Sequence, residues 1–248
     1  MKCVLLAAGF ATRLYPLTLN TPKPLLDVAG KPILDRLMEK IREVPEVGEV
    51  LLVTNGKFFH TFNEWAYRQS SYPLVTVLND GTLDNEHRFG AIADLAFAVH
   101  EQRIEEDTLV LAGDNLFDFS LKDFAEFFYA KGTDCITTHQ LNDREQLKRT
   151  GVIEVDPGWR VLSFQEKPRA PRTSYAVPPI YLYRWNTLPL LEEYLQAGMN
   201  PDAPGSFIPW LLERKAVHAY FFAGSRYDIG TRESYEEVCR IYQNRGVD

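Results

Sequence analysis

The sequence predicts an α/β fold, in which a mostly parallel sheet carries helices on both faces and a small antiparallel lobe follows. Two observations predict this fold. Strand-like apolar runs alternate with helix-like runs through the first half of the chain, an order typical of parallel β-α-β units. After Asp114 this alternation stops, and several strand-like runs follow one another, which favours antiparallel pairing.

The first half is predicted to hold four strands and three helices. Its strands are short apolar runs, as expected for strands that are buried on both faces. Its first helix has Pro32 near its start and apolar residues at helical spacing. In chain order the predicted elements are strand 3–8, helix 31–44, strand 49–54, helix 56–68, strand 74–78, helix 88–100 and strand 108–112.

The second half is predicted to begin with a helix that ends at Lys131-Gly132. Two later strands are joined by the turn Asp156-Pro157-Gly158. A loop at 198–205 precedes a short helix that Ser206 is expected to cap. The predicted elements are helix 121–130, strands 135–140, 151–155, 161–165 and 176–183, helix 188–196, helix 206–214, strand 217–222 and helix 231–244.

The bulk composition limits the classes of function. The chain has 248 residues, 45% hydrophobic and 25% charged, so we expect one domain over 1–248 with halves of about 1–118 and 119–248. The net charge of −7 argues against general nucleic-acid binding. Three scattered cysteines and five scattered histidines indicate neither a disulfide framework nor a zinc site. Without a membrane-length apolar run or a signal-peptide pattern, we expect a cytoplasmic protein.

The loop after the first strand carries the strongest functional signal. Small residues, Ala8 and Gly9, end the strand and allow a ligand to approach the backbone closely. Arg13 and Lys23 then place two cations about ten positions apart. Backbone N–H groups combined with two fixed cations indicate a polyphosphate site. The loop is not a Walker A motif, since no Gly-Lys-Ser/Thr follows the glycine.

The pattern Gly-x-x-Thr-Arg-Leu-x-Pro-Leu-Thr, followed by Pro-Lys-Pro-Leu-Leu, resembles the sugar-1-phosphate nucleotidyltransferases, in particular their glucose-1-phosphate thymidylyltransferase-like members. The resemblance implies a Rossmann-like fold of the nucleotide-diphospho-sugar transferase type. It implies transfer of a nucleotidyl group from an NTP to a sugar 1-phosphate, giving an NDP-sugar and pyrophosphate. It also implies that Arg13 and Lys23 act on the reacting phosphates and that Ala8, Gly9 and Thr12 contact the nucleotide.

Two aspartates resemble the metal ligands of that family. Asp114 stands in Gly113-Asp114-Asn115 at the end of an apolar strand, where an acid suits Mg²⁺ against a phosphate. Asp228 stands in Asp228-Ile229-Gly230-Thr231 before the last helix, which resembles the family's second metal-binding acid. The resemblance therefore implies a Mg²⁺ cofactor held by Asp114 and Asp228.

The acceptor side has its own motifs. The resemblance implies that Glu166 contacts sugar hydroxyls, that Lys167 contacts the sugar phosphate, and that the backbone of Gly151 lies against the sugar. Pro179 stands where the family often has a glycine, so the acceptor pocket is expected to be unusual.

The base-contacting segment departs from the family pattern. Gly90 matches the end of the family's small-residue run, but Arg88 and Phe89 replace its other small residues. Asn79 and Asn85 resemble the phosphocholine cytidylyltransferase branch, and their amides suit a pyrimidine base, although a loop asparagine also commonly forms turns.

Three questions stay open at this point. A CTP:phosphocholine or other phospho-alcohol cytidylyltransferase would use the same reaction, and a quaternary ammonium would need an aromatic cage, for which four aromatic residues are present. A sensor that binds nucleotide sugars without catalysis is a second alternative. Apolar residues of the last helix, Val238 and Ile241, fit either the core or the interface of a homo-oligomer. The four aromatic residues that could form the cage for a quaternary ammonium are Tyr175, Tyr181, Tyr183 and Trp185.

Overall fold

The computed structural model describes residues 1–69 and 72–245, with the side chain of residue 245 left out. Its strands are β1 (Lys2–Leu6), β2 (Asp27–Val28), β3 (Lys31–Pro32), β4 (Glu49–Thr54), β5 (Leu74–Asn79), β6 (Thr108–Ala112), β7 (Asn115–Phe117), β8 (Asp134–Gln140), β9 (Gly151–Val155), β10 (Val161–Glu166), β11 (Tyr175–Val177), β12 (Ile180–Tyr183), β13 (Val217–Phe221) and β14 (Arg226–Asp228). Its helices are α1 (Ile33–Ile41), α2 (Phe59–Arg68), α3 (Ala91–Glu101), α4 (Leu121–Lys131), α5 (Arg144–Leu147), α6 (Pro189–Gln196), α7 (Phe207–Leu212) and α8 (Arg232–Arg245).

Ten of the described strands form one sheet, in which β1 lies between β6 and β4. In the first half of the chain β1 pairs in parallel with β4 and β6, and β4 pairs in parallel with β5. In the second half β12, β8, β11, β9 and β10 continue the sheet through antiparallel pairs, and β13 pairs in parallel with β8. The predicted Rossmann-like α/β fold is confirmed, and its antiparallel part extends the same sheet.

Both faces of the sheet are covered by helices. On one face, Cys3 and Leu5 of β1 pack in a cluster with buried side chains of α1, α2 and α4. On the other face, Val4 packs in a cluster with side chains of α3, α6 and α7. Successive residues of a strand point to opposite faces, so a strand buried on both sides must be apolar at every position. This explains why the central strands read as continuous apolar runs.

The carboxyl ends of β1, β4, β5 and β6 meet at one edge of the sheet. Backbone hydrogen bonds join Ala7 to Val53 and Gly113 to Leu6 just beyond these strands. In open α/β sheets ligands bind outside the carboxyl ends of the strands. This edge is where the loop after β1 and the segment after β5 begin, and Asp114 lies there too, just after β6.

Several predicted elements differ from the observed ones. The predicted strand 176–183 is two strands, β11 and β12, because Pro178 and Pro179 have no N–H to donate to a ladder. Ser206 does not cap α7, since it lies in the short 3₁₀ turn Pro204–Ser206 and its side chain makes no capping bond. The helix predicted at 31–44 begins later, at Ile33, because β3 pairs with β2.

The pair of short strands β7 and β14 was missing from the prediction. Each has only three residues, which is too short for a recognisable apolar period. Val238 of α8 is buried in the core, so it does not serve an oligomer interface. Among the described helices, none is long and apolar enough to cross a membrane.

Candidate active site

The loop after β1 is held in place by a buried asparagine. Asn55, which follows β4, donates from Nδ2 to the carbonyl oxygen of Ala8 at 2.8 Å. Its Oδ1 accepts from the backbone N–H of Phe58 at 3.1 Å, so both ends of the amide are used. The amide therefore fixes the point where the chain leaves the sheet and enters the predicted phosphate loop.

Gly9 faces open space at the start of this loop. A Cβ added there would meet no atom within 4 Å, and the φ of Gly9 is not in the left-handed region. Neither crowding within the protein nor backbone conformation explains a glycine at this position. Room for the close approach of a ligand explains it.

The rest of the loop exposes its predicted functional groups. A buried Leu14 and a 2.8 Å hydrogen bond from Thr18 Oγ1 to the carbonyl of Ala11 anchor the loop. Thr12 and Arg13 lie between these anchors and are exposed. Within residues 1–69 and 72–245, the Arg13 guanidinium has no hydrogen bond or ion pair. An arginine on an anchored loop with no protein partner is available for an anionic ligand.

Lys23 is the second predicted cation, and it is buried. It begins a 3₁₀ turn between Pro22 and Pro24, and its residue is only 8% exposed. Its Nζ lies 2.7 Å from Oδ2 of Asp114. The structure thus joins a predicted phosphate ligand to a predicted metal ligand that is 91 positions away in the chain.

Hydrogen bonds extend from Asp114 to the second predicted metal ligand. Asn115 donates from Nδ2 to Asp114 Oδ1 at 2.7 Å and accepts at Oδ1 from Arg226 Nε, also at 2.7 Å. Arg226 Nη2 lies 3.6 Å from Oδ2 of Asp228. In the β7–β14 pair, Asp228 is the direct partner of Asn115. The two predicted metal-binding aspartates are therefore brought to neighbouring positions of one ribbon.

The charges of this network balance. Burial would raise the pKa of Asp114, but the charge and hydrogen bond of Lys23 and the charge of Arg226 outweigh burial and lower that pKa. Asp114 is therefore a carboxylate at neutral pH. Two carboxylates are matched by two cations, Lys23 and Arg226, so a polyphosphate can take over the cations while the carboxylates are freed for a metal ion.

The residues predicted to contact the acceptor lie at the antiparallel end of the sheet. A Cβ on Gly151 would lie 2.4 Å from the ring of Phe164, and a Cβ on Gly205 would lie 2.1 Å from Glu166 Oε2. Gly151 is thus required by the packing of Phe164, a reason that the sequence did not show. Burial raises the pKa of Glu166, and the neighbouring Lys167, whose Nζ is 3.8 Å away, partly offsets that effect.

The segment predicted to contact the base is mostly exposed. Asn79 Oδ1 accepts from the backbone N–H of Gly81 at 2.9 Å, so this side chain forms a turn and keeps only its amide donors for a base. Asn85 is exposed. A Cβ on Gly90 would lie 2.7 Å from the carbonyl oxygen of Pro201, so packing against the 201–202 backbone requires this glycine too.

The aromatic residues that suggested a choline cage do not form one. Tyr181 and Tyr183 are buried in the core, and Tyr175 packs against Trp159. Trp185 is bonded through its backbone N–H to Asp107, at the opposite edge of the sheet. These four side chains do not surround a common space.

Two site residues were missed by sequence reasoning. Asn115 and Arg226 join the predicted acids, and both lie within two positions of one of them. The sequence shows that each of them is close to one predicted acid. Only the pairing of β7 with β14 shows that they link the two acids. Among the described residues no group of three or more His, Cys, Asp and Glu could hold a metal ion.

Comparison with known proteins places the chain. The family model described as nucleotidyl transferase matches residues 2–245. The chain is 30% identical over 258 residues to a glucose-1-phosphate adenylyltransferase of Geobacillus stearothermophilus, covering 96% of this chain and 65% of that protein. It is 26% identical over 230 residues to the bifunctional protein GlmU of Methanocaldococcus jannaschii, covering 93% of this chain and 51% of that protein.

The fold has close counterparts among solved structures. The crystal structure of a UDP-glucose pyrophosphorylase complexed with UDP-glucose superposes with a TM-score of 0.83 at 19% identity, covering 98% of both chains. At that identity the likeness concerns the fold. The chain spans 51% to 66% of the length of the curated relatives it matches first. Since one family model covers nearly every residue, the chain belongs to the nucleotidyl transferase family.

Proposed function

We propose that the protein transfers a nucleotidyl group from an NTP to a sugar 1-phosphate, releasing pyrophosphate. The observation that carries this proposal is the contact between Lys23 and Asp114 at the carboxyl ends of the parallel strands, together with an exposed Arg13 that has no partner among the described residues. This arrangement offers cations for a triphosphate and carboxylates for a metal in one place. The relatives named as glucose-1-phosphate adenylyltransferases act on a sugar 1-phosphate, which supports the same class of acceptor.

The reaction needs positioning and charge neutralisation more than acid–base chemistry. A phosphate oxygen of the acceptor attacks the α-phosphorus, a new P–O bond forms, and the bond from the α-phosphorus to the bridging oxygen breaks. The electron pair leaves with pyrophosphate. The attacking oxygen is already anionic near neutral pH, so no general base is required. Fixed cations that meet the developing charge supply most of the acceleration.

Each residue then has a role within this chain. Arg13 and Lys23 bind the triphosphate and neutralise the departing pyrophosphate, while Ala8, Gly9 and Thr12 let its phosphates approach the backbone. Asn79, Asn85 and Gly90 contact the base, and the side-chain amides of the two asparagines favour a pyrimidine. On the acceptor side Glu166 receives sugar hydroxyls, Lys167 binds the acceptor phosphate and the Gly151 backbone lies against the sugar.

The residues fit a divalent cation. Asp114 and Asp228 offer hard carboxylate oxygens, which Mg²⁺ prefers, and it keeps waters and substrate phosphates as its other ligands. A bound Mg²⁺ would neutralise charge on the phosphates during transfer. Both Asp114 oxygens accept a hydrogen bond in the free protein, from Lys23 and Asn115, and each keeps a second lone pair that would be open to a cation.

A panel assay tests the proposal. Pyrophosphate release is measured for each NTP and dTTP against several sugar 1-phosphates and phosphocholine, with Mg²⁺, with EDTA, and with Mg²⁺ restored. Release with one sugar 1-phosphate, loss in EDTA and recovery with Mg²⁺ are expected. Release with phosphocholine alone would reassign the acceptor. If the folded protein binds nucleotide sugars but shows no turnover, the result would favour a non-catalytic sensor over an enzyme.

A further inference from the structure

Two buried carboxyl groups, those of Asp80 and Asp94, flank the segment 81–90. Asp80 directly follows β5 and is 7% exposed, while Asp94 lies in the first turn of α3 and is 5% exposed. Each carboxyl group acts on the pKa of the other as a hydrogen-bond partner, so the two side chains lie close together. The segment between them contains Asn85 and Gly90. A bond between the two acids therefore joins the beginning of the segment to its end.

The two acids have one unpaired oxygen each. Asp80 Oδ1 accepts from the backbone N–H and the hydroxyl of Thr82, at 2.7 and 2.8 Å. Asp80 Oδ2 and Asp94 Oδ1 are buried and accept from no hydrogen-bond donor in the described part of the chain. Two ionised carboxylates in a buried contact repel each other strongly, whereas a single proton between them forms a charge-assisted hydrogen bond. One shared proton satisfies both oxygens.

The surroundings favour Asp94 as the group that carries the proton. Burial and the negative charges of Asp80 and Asp202 raise the pKa of Asp94 to about 8. Asp202 is itself paired with Arg88, at 3.1 Å from Nε to Oδ1 and 3.0 Å from Nη2 to Oδ2. Burial also raises the pKa of Asp80, although its bonds from Thr82 favour the charged form.

We propose that Asp94 is a positioning residue, which keeps the segment 81–90 in its nucleotide-binding conformation by donating a carboxyl proton to Asp80. The role in binding rests on the proposed function, because it assumes that this segment meets the nucleotide. Contacts from the 201–202 backbone hold the same end of the segment: the carbonyls of Pro201 and Asp202 accept from the N–H groups of Ile92 and Ala91. Loss of the proton puts two negative charges in contact and drives the ends of the segment apart.

The first test measures stability and needs no activity. Asp94→Asn replaces the O–H donor by an N–H donor that has no proton to lose. Folded Asp94 binds its proton more tightly than the unfolded chain, so the wild type loses stability as pH rises from the ordinary aspartate value of 3.8 towards about 8. The urea midpoint of Asp94→Asn minus that of the wild type should grow from pH 5 to pH 8 and then stay constant.

A matched control lies in the same segment. Asp84 is an exposed acid whose hydrogen bonds go to Glu86 and His87 within the turn. Asp84→Asn should show no such growth above pH 5. If Asp94→Asn and the wild type keep a constant difference from pH 5 to pH 9, Asp94 does not hold a shared proton and the proposal fails.

The second test measures the KM for the preferred NTP between pH 7 and pH 9. Only the protonated pair is competent, so the wild-type KM should rise about tenfold over this range, while the KM of Asp94→Asn stays flat. Asp94→Leu fills the space without a donor and should have a high KM at every pH. A flat wild-type profile would make the pair structural and overturn the positioning role. Absence of pyrophosphate release from every variant would instead reject the proposed function, while the stability test still reports on the pair.

Discussion

The ammonium of Lys23 lies 2.7 Å from a carboxylate oxygen of Asp114, although 91 positions separate the two residues. Lys23 comes from a turn between two prolines, and Asp114 lies two residues beyond the end of β6. The contact lowers the pKa of Asp114 and so keeps its carboxyl group ionised in the free protein. Under the proposed function, the contact holds a group for phosphate against a group for a metal in the free protein.

Replacing Lys23 should impair catalysis far more than folding. Lys23→Ala removes a cation from the triphosphate and leaves Asp114 without its nearest counter-charge, so kcat/KM should fall by about 10²–10³-fold. Pyrophosphate release measures the loss, and circular dichroism checks that the fold is kept. Lys31→Ala is the control, because Lys31 pairs on the surface with Glu39. Activity within twofold of the wild type in Lys23→Ala would contradict the assignment.

Two glycines should respond in opposite ways to alanine. Gly151→Ala places a Cβ 2.4 Å from the Phe164 ring, so the free energy of unfolding should fall by about 1–3 kcal/mol. Gly9→Ala meets open space, so stability should stay the same or rise slightly while the KM for NTP increases. Urea denaturation and steady-state kinetics separate the two effects. Equal destabilisation in both variants would show that Gly9 is also a packing residue.

Arg226 should contribute to turnover and to divalent cation affinity, although no sequence motif includes it. Arg226→Gln removes the charge near Asp228 and shortens the side chain that holds Asn115, so turnover should drop by about tenfold or more. Divalent cations should bind more tightly in the absence of nucleotide, because Asp228 loses its counter-charge. Isothermal titration calorimetry measures this affinity. Arg232→Gln is the control, since Arg232 pairs with Glu236 along α8. Unchanged cation affinity and turnover in Arg226→Gln would remove Arg226 from the site.

The raised pKa of Glu166 predicts that the KM for the acceptor depends on pH. Burial raises its pKa above that of an ordinary glutamate, so it becomes protonated at a higher pH than an exposed glutamate as the solution is acidified. A protonated carboxyl accepts fewer hydrogen bonds from sugar hydroxyls, so the acceptor KM should rise as pH falls through this pKa. Glu166→Gln should have a higher acceptor KM that no longer varies with pH in this range. An identical pH profile in both proteins would contradict the role of Glu166.

The sequence predicted the central fold because burial leaves a local mark. Strands β1, β4 and β6 are apolar at nearly every position, and amphipathic helices such as α1 follow the helical period. The prediction was poorest where elements are short. Pro178-Pro179 divides one predicted strand, and the three-residue strands β7 and β14 leave no period to recognise.

Motif positions predicted candidate residues, but the reason for some of them is tertiary. Gly90 and Gly151 matched a ligand-binding pattern, and the structure shows that a Cβ at either would collide with neighbouring protein atoms. Gly9 is different, since no neighbouring atom limits it. A sequence lists the glycines and cannot tell which of them face protein and which face open space.

The sequence by itself determined the class of fold, the family and the residue types of the site, because these depend on local periods and on a motif whose residues are close in the chain. The tertiary structure alone decided which charges meet. The pairing of Lys23 with Asp114, the link from Asn115 to Arg226 and the contact of Asp80 with Asp94 each join residues from different elements. Electrostatic energies depend on distance in space and on burial, and neither can be read from separation along the chain.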